Sequence, residues 1–560
     1  MLSKLKLFDS DSLKLLHRRV FFSITIFIFV YFISIYRISS IMLFPDLNDD
    51  TTNYIKKDIR GSIYDRNGNI IATSIESISL SINPNKIKNK KELANKLGLI
   101  LDLDIKKIEK KLLSTSKFIW VKRNISPVEY QEIINLGEIN IKAHKEFKRI
   151  YPYKNTLSHI LGYVDIDQIG QSGIERYFEN DLAKSQDIII SIDTNLQQLV
   201  RENLFKTINN YKAESGLAIV MDIPSGQILS SVSLPDYNPE DKSSYNNNNL
   251  INRVFQSNYE MGSTFKPITA TIGFDLDILD PQMTFDVTKK YLNISDHDKY
   301  KDNGIYDVEK IIVESSNIGT AQIATLIGKK NQKEFFEKIG FNKKINIENK
   351  ESSAPLGNKY NWGKLETATI GFGHGFAITP LHLVKAYASL ANNGNEVFPT
   401  LQLNKQFEQN QIFNNKESSK FFINLLNSVV LKTEYTGPRV KVDGYSVGGK
   451  TGTSELLNPN GGYYKDRNLT SFIGIFPTNN PKYVVYTAIE YPKKETGTKQ
   501  RMTGARVNAP LVKDIIINII SLLNISKDKN DDLLKVDTNF LYRKLNLSLI
   551  HISEPTRLQQ

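Results

Sequence analysis

Residues 20–36 read VFFSITIFIFVYFISIY, a run without charge that is apolar on every side of a helix. Such a run predicts a helix at the short end of what crosses a hydrocarbon layer about 30 Å thick. A core helix of a soluble domain would show one polar side, and this run has none. Lys4, Lys6, Lys14, Arg18 and Arg19 precede it, whereas Arg37 and then Asp46, Asp49 and Asp50 follow. Basic flanks stay in the cytoplasm, so the expected order is a cytoplasmic segment over 1–19, an anchor over 20–44 and everything later outside. Residues 38–44 form a poor cleavage site, which favours a retained anchor over a removed signal. No comparable apolar run recurs, so the expected topology is single-pass.

After the anchor the periodicity shortens. Residues 70–73 and 77–82 read as strands, and the Lys-rich stretch 86–113 reads as helical. Between them and the anchor, Arg60-Gly-Ser-Ile-Tyr-Asp-Arg-Asn-Gly68 packs charges around two glycines; Asn67-Gly68 marks it as a tight turn joining strands, without catalytic chemistry. A second region opens with a hairpin: residues 216–221 form a buried strand, Pro224-Ser-Gly226 the turn and residues 228–233 the return. The expected organisation is a first exterior domain over 45–205, a second over 206–525 and a C-terminal tail of uncertain origin over 526–560. The mixture of strands and helices places the chain in the α/β (α+β) class.

Composition narrows the chemistry. At 560 residues the chain is too long for one core. Its net charge of +12 is spread along the whole length rather than gathered in arginine-rich or aromatic-basic runs, which argues against nucleic acid as a partner. Absence of cysteine removes disulfides, thiolate chemistry and cysteine metal sites. His374, one of seven histidines, has no ligand-like cluster around it in sequence, so no metal is assigned.

Ser263-Thr-Phe-Lys266 sets a hydroxyl and an amine one helical turn apart, so the amine can take the hydroxyl proton. The same spacing occurs at Ser3/Lys6, Ser114/Lys117 and Ser526/Lys529, so spacing alone selects nothing. Only Ser263 follows a glycine able to cap a tight turn into a helix and precedes a proline, Pro267, suited to the first turn. Two further motifs follow in order: Ser315-Ser-Asn317, whose bland reading is a helix cap, and Lys450-Thr-Gly-Thr453, which occurs once. Residues 445–449 read as a strand that Lys450 ends, and Gly452 lets an extended peptide approach a sheet edge.

These three motifs resemble those of penicillin-binding proteins and serine β-lactamases. Together with Arg60 to Gly68, Ser191-Ile-Asp-Thr-Asn-Leu-Gln197 and Met221-Asp-Ile-Pro-Ser-Gly226, they make the chain similar to the class B penicillin-binding proteins. Ser315-Ser-Asn-Ile-Gly319, and Gly371-Phe-Gly-His-Gly375 followed by Thr379-Pro-Leu381, resemble the septal branch of that class. Met261 stands where proline is frequent, and the final residues resemble no family segment.

The resemblance implies an elongated pedestal domain beneath a penicillin-binding transpeptidase domain, whose antiparallel sheet is flanked by helices. It implies Ser263 as nucleophile, Lys266 as base, Ser315 as proton relay, Asn317 as holder of substrate amides, and Lys450 with Thr451, Gly452 and Thr453 as the cradle of the terminal carboxylate and substrate strand. The oxyanion hole would be the backbone N–H groups of Ser263 and Thr453. No cofactor is implied. The expected partners are peptidoglycan stems ending in D-Ala-D-Ala, β-lactams as covalent inhibitors, a membrane glycan polymerase and division proteins. Rival readings with the same motifs are an elongation-type transpeptidase, a D-Ala carboxypeptidase or β-lactamase, and a non-catalytic β-lactam sensor.

Overall fold

The computed structural model describes residues 10–43, 59–296, 304–357, 362–458, 461–493 and 502–528. Two units form, residues 1–58 and 59–560. In the first, helix α1 (Ser10–Leu43) extends well beyond the apolar run on both sides. Its membrane-length portion, His17–Ser39, has 23 residues, about 35 Å at 1.5 Å per residue. The polar groups inside it are satisfied locally: Thr25 Oγ1 donates to Phe21 O at 2.8 Å and Ser34 Oγ to Val30 O at 2.9 Å. Phe21, Phe27 and Tyr36 are 73–77% exposed, which suits a lipid environment rather than water. The expected tail over 526–560 lies outside the described residues after Asp528.

The second unit begins with β1 (Ile63–Tyr64) and β2 (Ile70–Ile82), joined by the expected turn, in which the Asp65 carboxylate accepts from Asn67 N and Asn69 N. The two strands read from sequence at 70–73 and 77–82 are a single one, β2. Helices α2 (Lys90–Leu101) and α3 (Ile105–Leu112) replace the single expected segment at 86–113. The break has a local cause: Asp102 caps α2 in the left-handed region (φ 50°), and Asp104 caps α3 by accepting from Lys106 N and Lys107 N. Strands β3 (Ile119–Ile125) and β4 (Ile141–Ile150) pair antiparallel with β2. Leu80, Leu93, Leu97, Leu101 and Leu112 form a small core of their own at this end.

At its other end this region shares a core with the rest of the unit. Ile63, Ile71, Ala72 and Tyr151 belong to the same buried cluster as Ile219, Phe265 and Tyr486. Beside them, Arg60 is no mere turn residue: it is 4% exposed and pairs with Glu175 at 2.8 Å, as does Arg149 at 2.8 Å. Helix α4 (Thr194–Asn210) runs across residue 205 and packs Leu196, Val200 and Leu204 into the core of the next sheet.

That sheet is built from β5 (Ser215–Asp222), β6 (Ile228–Leu234), β7 (Gly448–Leu457), β8 (Tyr463–Phe476) and β9 (Tyr483–Glu490), in the order β7-β8-β9-β5-β6 and antiparallel throughout. Alternation along β5 serves both faces: Ala218 and Val220 meet α4 and α5 (Gly504–Leu522), while Leu217, Ile219 and Met221 point to the opposite core. The 216–221 and 228–233 hairpin is as expected. Strand β7, by contrast, starts at Gly448 and carries Lys450 inside it, opposite Ile473, instead of ending before it. Eight consecutive register pairs from Gly448 to Glu455 hold the motif within the sheet, so residues 445–447 are approach rather than strand.

Candidate active site

The turn that carries Ser263 is made by glycines. Gly262–Phe265 is one 3-10 turn feeding the helix Lys266–Asp275, with Pro267 in its first turn. Gly262 sits at φ +53°, and a Cβ there would lie 2.8 Å from Thr453 O. Gly373, at φ +81°, would place a Cβ 2.2 Å from Gly262 O, and Gly262 N donates to Gly373 O at 3.1 Å. Only residues without side chains allow the three segments to meet this closely.

All ten residues of the helix Lys266–Asp275 are buried, so the Lys266 amine enters an apolar interior. It donates to Ser315 O, to Ser315 Oγ at 3.2 Å and to Asn317 Oδ1 at 2.7 Å. Lys450 Nζ, from β7, reaches the same Ser315 Oγ at 3.0 Å. One hydroxyl thus contacts two buried lysine amines. Burial, and then the charge of Lys450, drive the Lys266 pKa well below 10.5, against a weaker upward pull from Asp296. Burial alone lowers Lys450 to about 7.

Ser315 is held at φ +59°, a costly conformation for a non-glycine residue. What fixes it is the start of the helix Asn317–Lys338: Ser316 caps it by accepting from Gly319 N at 2.9 Å. Asp296 clamps the same turn, accepting from Ser316 Oγ at 2.5 Å, Asn317 N at 2.5 Å and Ile318 N at 3.1 Å. Nothing along the chain singles out Asp296, because it lies in a turn-rich loop with no motif around it.

Lys266, Ser315, Asn317 and Lys450 are therefore joined by hydrogen bonds, Ser263 lies on the turn that leads into Lys266, and Thr451, Gly452 and Thr453 continue along β7. Among the described residues the Ser263 hydroxyl makes no hydrogen bond; the Lys266 amine is turned instead toward Ser315 and Asn317.

Beside the cleft, His374 Nδ1 lies 3.0 Å from Glu260 Oε2, and that carboxylate raises the histidine pKa above 6.5. The other oxygen, Glu260 Oε1, accepts from Tyr463 OH at 2.7 Å and Gly375 N at 2.9 Å. His374 is thus part of a polar bracket around the segment that leads to Ser263. Among the described residues no cluster of three or more His, Asp or Glu side chains is placed to hold a metal ion.

The penicillin-binding protein transpeptidase domain family matches residues 216–516, and the penicillin-binding protein dimerisation domain family matches residues 56–220. The first match alone covers more than half of the chain, which belongs to the penicillin-binding protein transpeptidase family in its class B, two-domain form. Three relatives are similar along most of their length. The probable peptidoglycan D,D-transpeptidase FtsI of Caulobacter vibrioides is 29% identical over 486 residues, covering 84% of this chain and 82% of that one. The probable peptidoglycan D,D-transpeptidase PenA of Neisseria gonorrhoeae is 29% identical over 509 residues, with 84% and 85% covered. Stage V sporulation protein D of Bacillus subtilis is 28% identical, with 84% and 79% covered. A crystal structure of a peptidoglycan synthetase from Bifidobacterium adolescentis superposes with a TM-score of 0.66 over 86% of this chain and 98% of that one, at 20% identity, and so shares the fold.

Proposed function

We propose that this chain is a peptidoglycan D,D-transpeptidase that works through a Ser263 acyl-enzyme. The observation carrying this reading is the Ser315 hydroxyl held between Lys266 and Lys450 beside the nucleophile turn. Ser263 Oγ attacks the carbonyl carbon of the penultimate D-alanine, and its proton passes to the neutral Lys266 amine. Charge on the carbonyl oxygen is taken by the N–H groups of Ser263 and Thr453. The C–N bond to the terminal D-alanine then breaks, and Ser315 relays a proton from the lysine pair to the leaving amine. An amine of a second stem attacks the ester, forms the cross-link and returns the proton to Ser263. Asn317 orients substrate amides, while Lys450 and Thr451 hold the terminal carboxylate.

A septal role in cell division is supported by the segments 315–319 and 371–381 and by relatives named FtsI in Caulobacter and Buchnera. The anchor α1 supports a single-pass protein of the cytoplasmic membrane with its catalytic unit outside, acting on glycan made by a separate membrane polymerase. Labelled penicillin followed by peptide mapping tests the chemistry: the adduct is expected on Ser263, and a Ser263→Ala protein that still carries it overturns the assignment. Localisation of a tagged chain tests the setting, with midcell expected and an even side-wall distribution refuting the septal role.

A further inference from the structure

The segment Gly371-Phe-Gly-His-Gly375 is fastened to the turn that carries Ser263 at three points. Gly262 N donates to Gly373 O at 3.1 Å, Gly375 N donates to Glu260 Oε1 at 2.9 Å, and His374 Nδ1 lies 3.0 Å from Glu260 Oε2. Tyr259–Glu260 and Ala377–Ile378 also pair as short antiparallel strands. Glu260 thus stands three residues before Ser263 and takes two of the three fastenings on its own carboxylate.

Glu260 is only 5% exposed. Its Oε1 accepts from Gly375 N and Tyr463 OH, whereas Oε2 receives no hydrogen bond of regular geometry and has the ionic contact to His374 instead. A buried carboxylate without a cation is costly, and the cost is relieved by turning out toward water. Turning out would release Gly375, and with it the loop whose Gly373 O holds Gly262 N. His374 supplies the cation when it carries a proton. Its side chain is 46% exposed, so a proton can reach it, and its ring lies against Tyr463 with centroids 5.1 Å apart and planes at 23°. The titratable groups that face it are Glu260, Glu455 from β7 and Tyr463 from β8, whose hydroxyl lies 3.4 Å from Nε2. Glu260 first, and Glu455 after it, raise the histidine pKa above 6.5 against the opposing effect of partial burial.

We infer that protonated His374 is a positioning residue for acylation: it keeps the Glu260 carboxylate in place, and Glu260 and Gly373 together keep the turn that carries Ser263 in its reactive geometry. His374 acts through Glu260 and not on the reacting atoms. This rests on Ser263 being the acylated residue, and adds a falling limb to the pH profile of acylation. The contact is fully present below pH 6.5 and is lost as pH rises through the raised histidine pKa.

The test follows acylation of the full chain in detergent by fluorescent penicillin between pH 6 and pH 9, for the parent, His374→Gln, Glu260→Gln and the double variant. Each rate constant is taken at saturating penicillin, where a weaker grip on the probe does not register. The parent is expected to acylate about tenfold faster than His374→Gln at pH 6 and within about twofold of it at pH 9. Titration of Lys266 and Lys450 is common to both proteins and cancels in that ratio. In the Glu260→Gln background, His374→Gln should change the rate by no more than about twofold at either pH, because no carboxylate is left to hold. A parent-to-variant ratio that stays flat from pH 6 to pH 9, or a loss confined to the penicillin concentration for half-saturation, overturns the positioning role and leaves the transpeptidase reading intact. If His374→Gln does not fold, the ratio of parent to Glu260→Gln decides in its place: a fall toward pH 9 supports the role and a flat ratio overturns it. Absence of the penicillin adduct from Ser263 in the parent overturns the transpeptidase reading and the positioning role with it.

Discussion

Replacing Lys450 with methionine should make the protein more stable and inactive at once. Lys450 is 1% exposed, and burial lowers its pKa from 10.5 to about 7. At about 1.4 kcal/mol per pH unit, keeping that lysine inside costs about 5 kcal/mol wherever it must stay protonated. Methionine has nearly the same length and no charge, so it removes the cost while conserving packing volume. Loss of the hydrogen bond to Ser315 Oγ at 3.0 Å returns about 1–2 kcal/mol, leaving a net gain of roughly 3 kcal/mol. The sign with pH follows from the depressed pKa: the unfolded chain binds this proton more tightly than the folded one. The destabilisation is thus full below about pH 7 and fades as pH rises toward 10.5. Differential scanning calorimetry of both proteins between pH 6 and pH 10 reads this directly. An unfolding entropy of about 2 cal/mol/K per residue makes 3 kcal/mol worth about 3 °C for a unit of this size. The gap in Tm should be widest at pH 6 and close toward pH 10, while acylation by penicillin is lost throughout. A variant that melts below the parent at pH 6, or a gap that widens with pH, would show that Lys450 is not held at a cost.

Two further substitutions probe the same cleft. Asp296→Asn removes the carboxylate that raises the Lys266 pKa and clamps Asn317 N; acylation should slow about tenfold, and the rising limb of its pH profile should move to lower pH, whereas a move to higher pH would contradict the electrostatics. Gly373→Ala puts a Cβ 2.2 Å from Gly262 O at φ +81°; stopped-flow acylation should fall about 100-fold from the displaced nucleophile turn, and an unchanged rate would mean the glycine contact is not needed.

Much of the cleft was legible because its chemistry is written in short, rare spacings. Ser263, Ser315 and Lys450 each stood in a motif whose order along the chain matters more than any single match, and the structure brings Lys266 and Lys450 to the one Ser315 hydroxyl. The hairpin at 216–233 was equally readable from alternation bounded by Pro224 and Gly226. Contacts made across long separations were not. Asp296 caps the Ser315 turn from a loop without pattern, and Glu260 meets His374 and Tyr463, both more than a hundred residues downstream. Lys450 was misplaced at the end of a strand over 445–449, whereas the strand starts at Gly448 and runs through it, and the missing side chains of the two glycines serve close packing: a Cβ on Gly449 would lie 2.5 Å from Phe472 Cζ. Arg60 looked like turn decoration because its partner, Glu175, is 115 residues away.

The continuous cluster that runs from Ile63, Ile71 and Tyr151 to Ile219 and Phe265 has a consequence for how this lineage can change. Two family domains meet in the chain, and where they meet they share one interior. A front half borrowed from a distant relative would bring its own side-chain volumes to a junction that the rear half has already shaped, and the Arg60–Glu175–Arg149 pairing would have to arrive with it. The halves are therefore bound to drift together, and the catalytic cleft inherits constraints from residues that never come near a substrate.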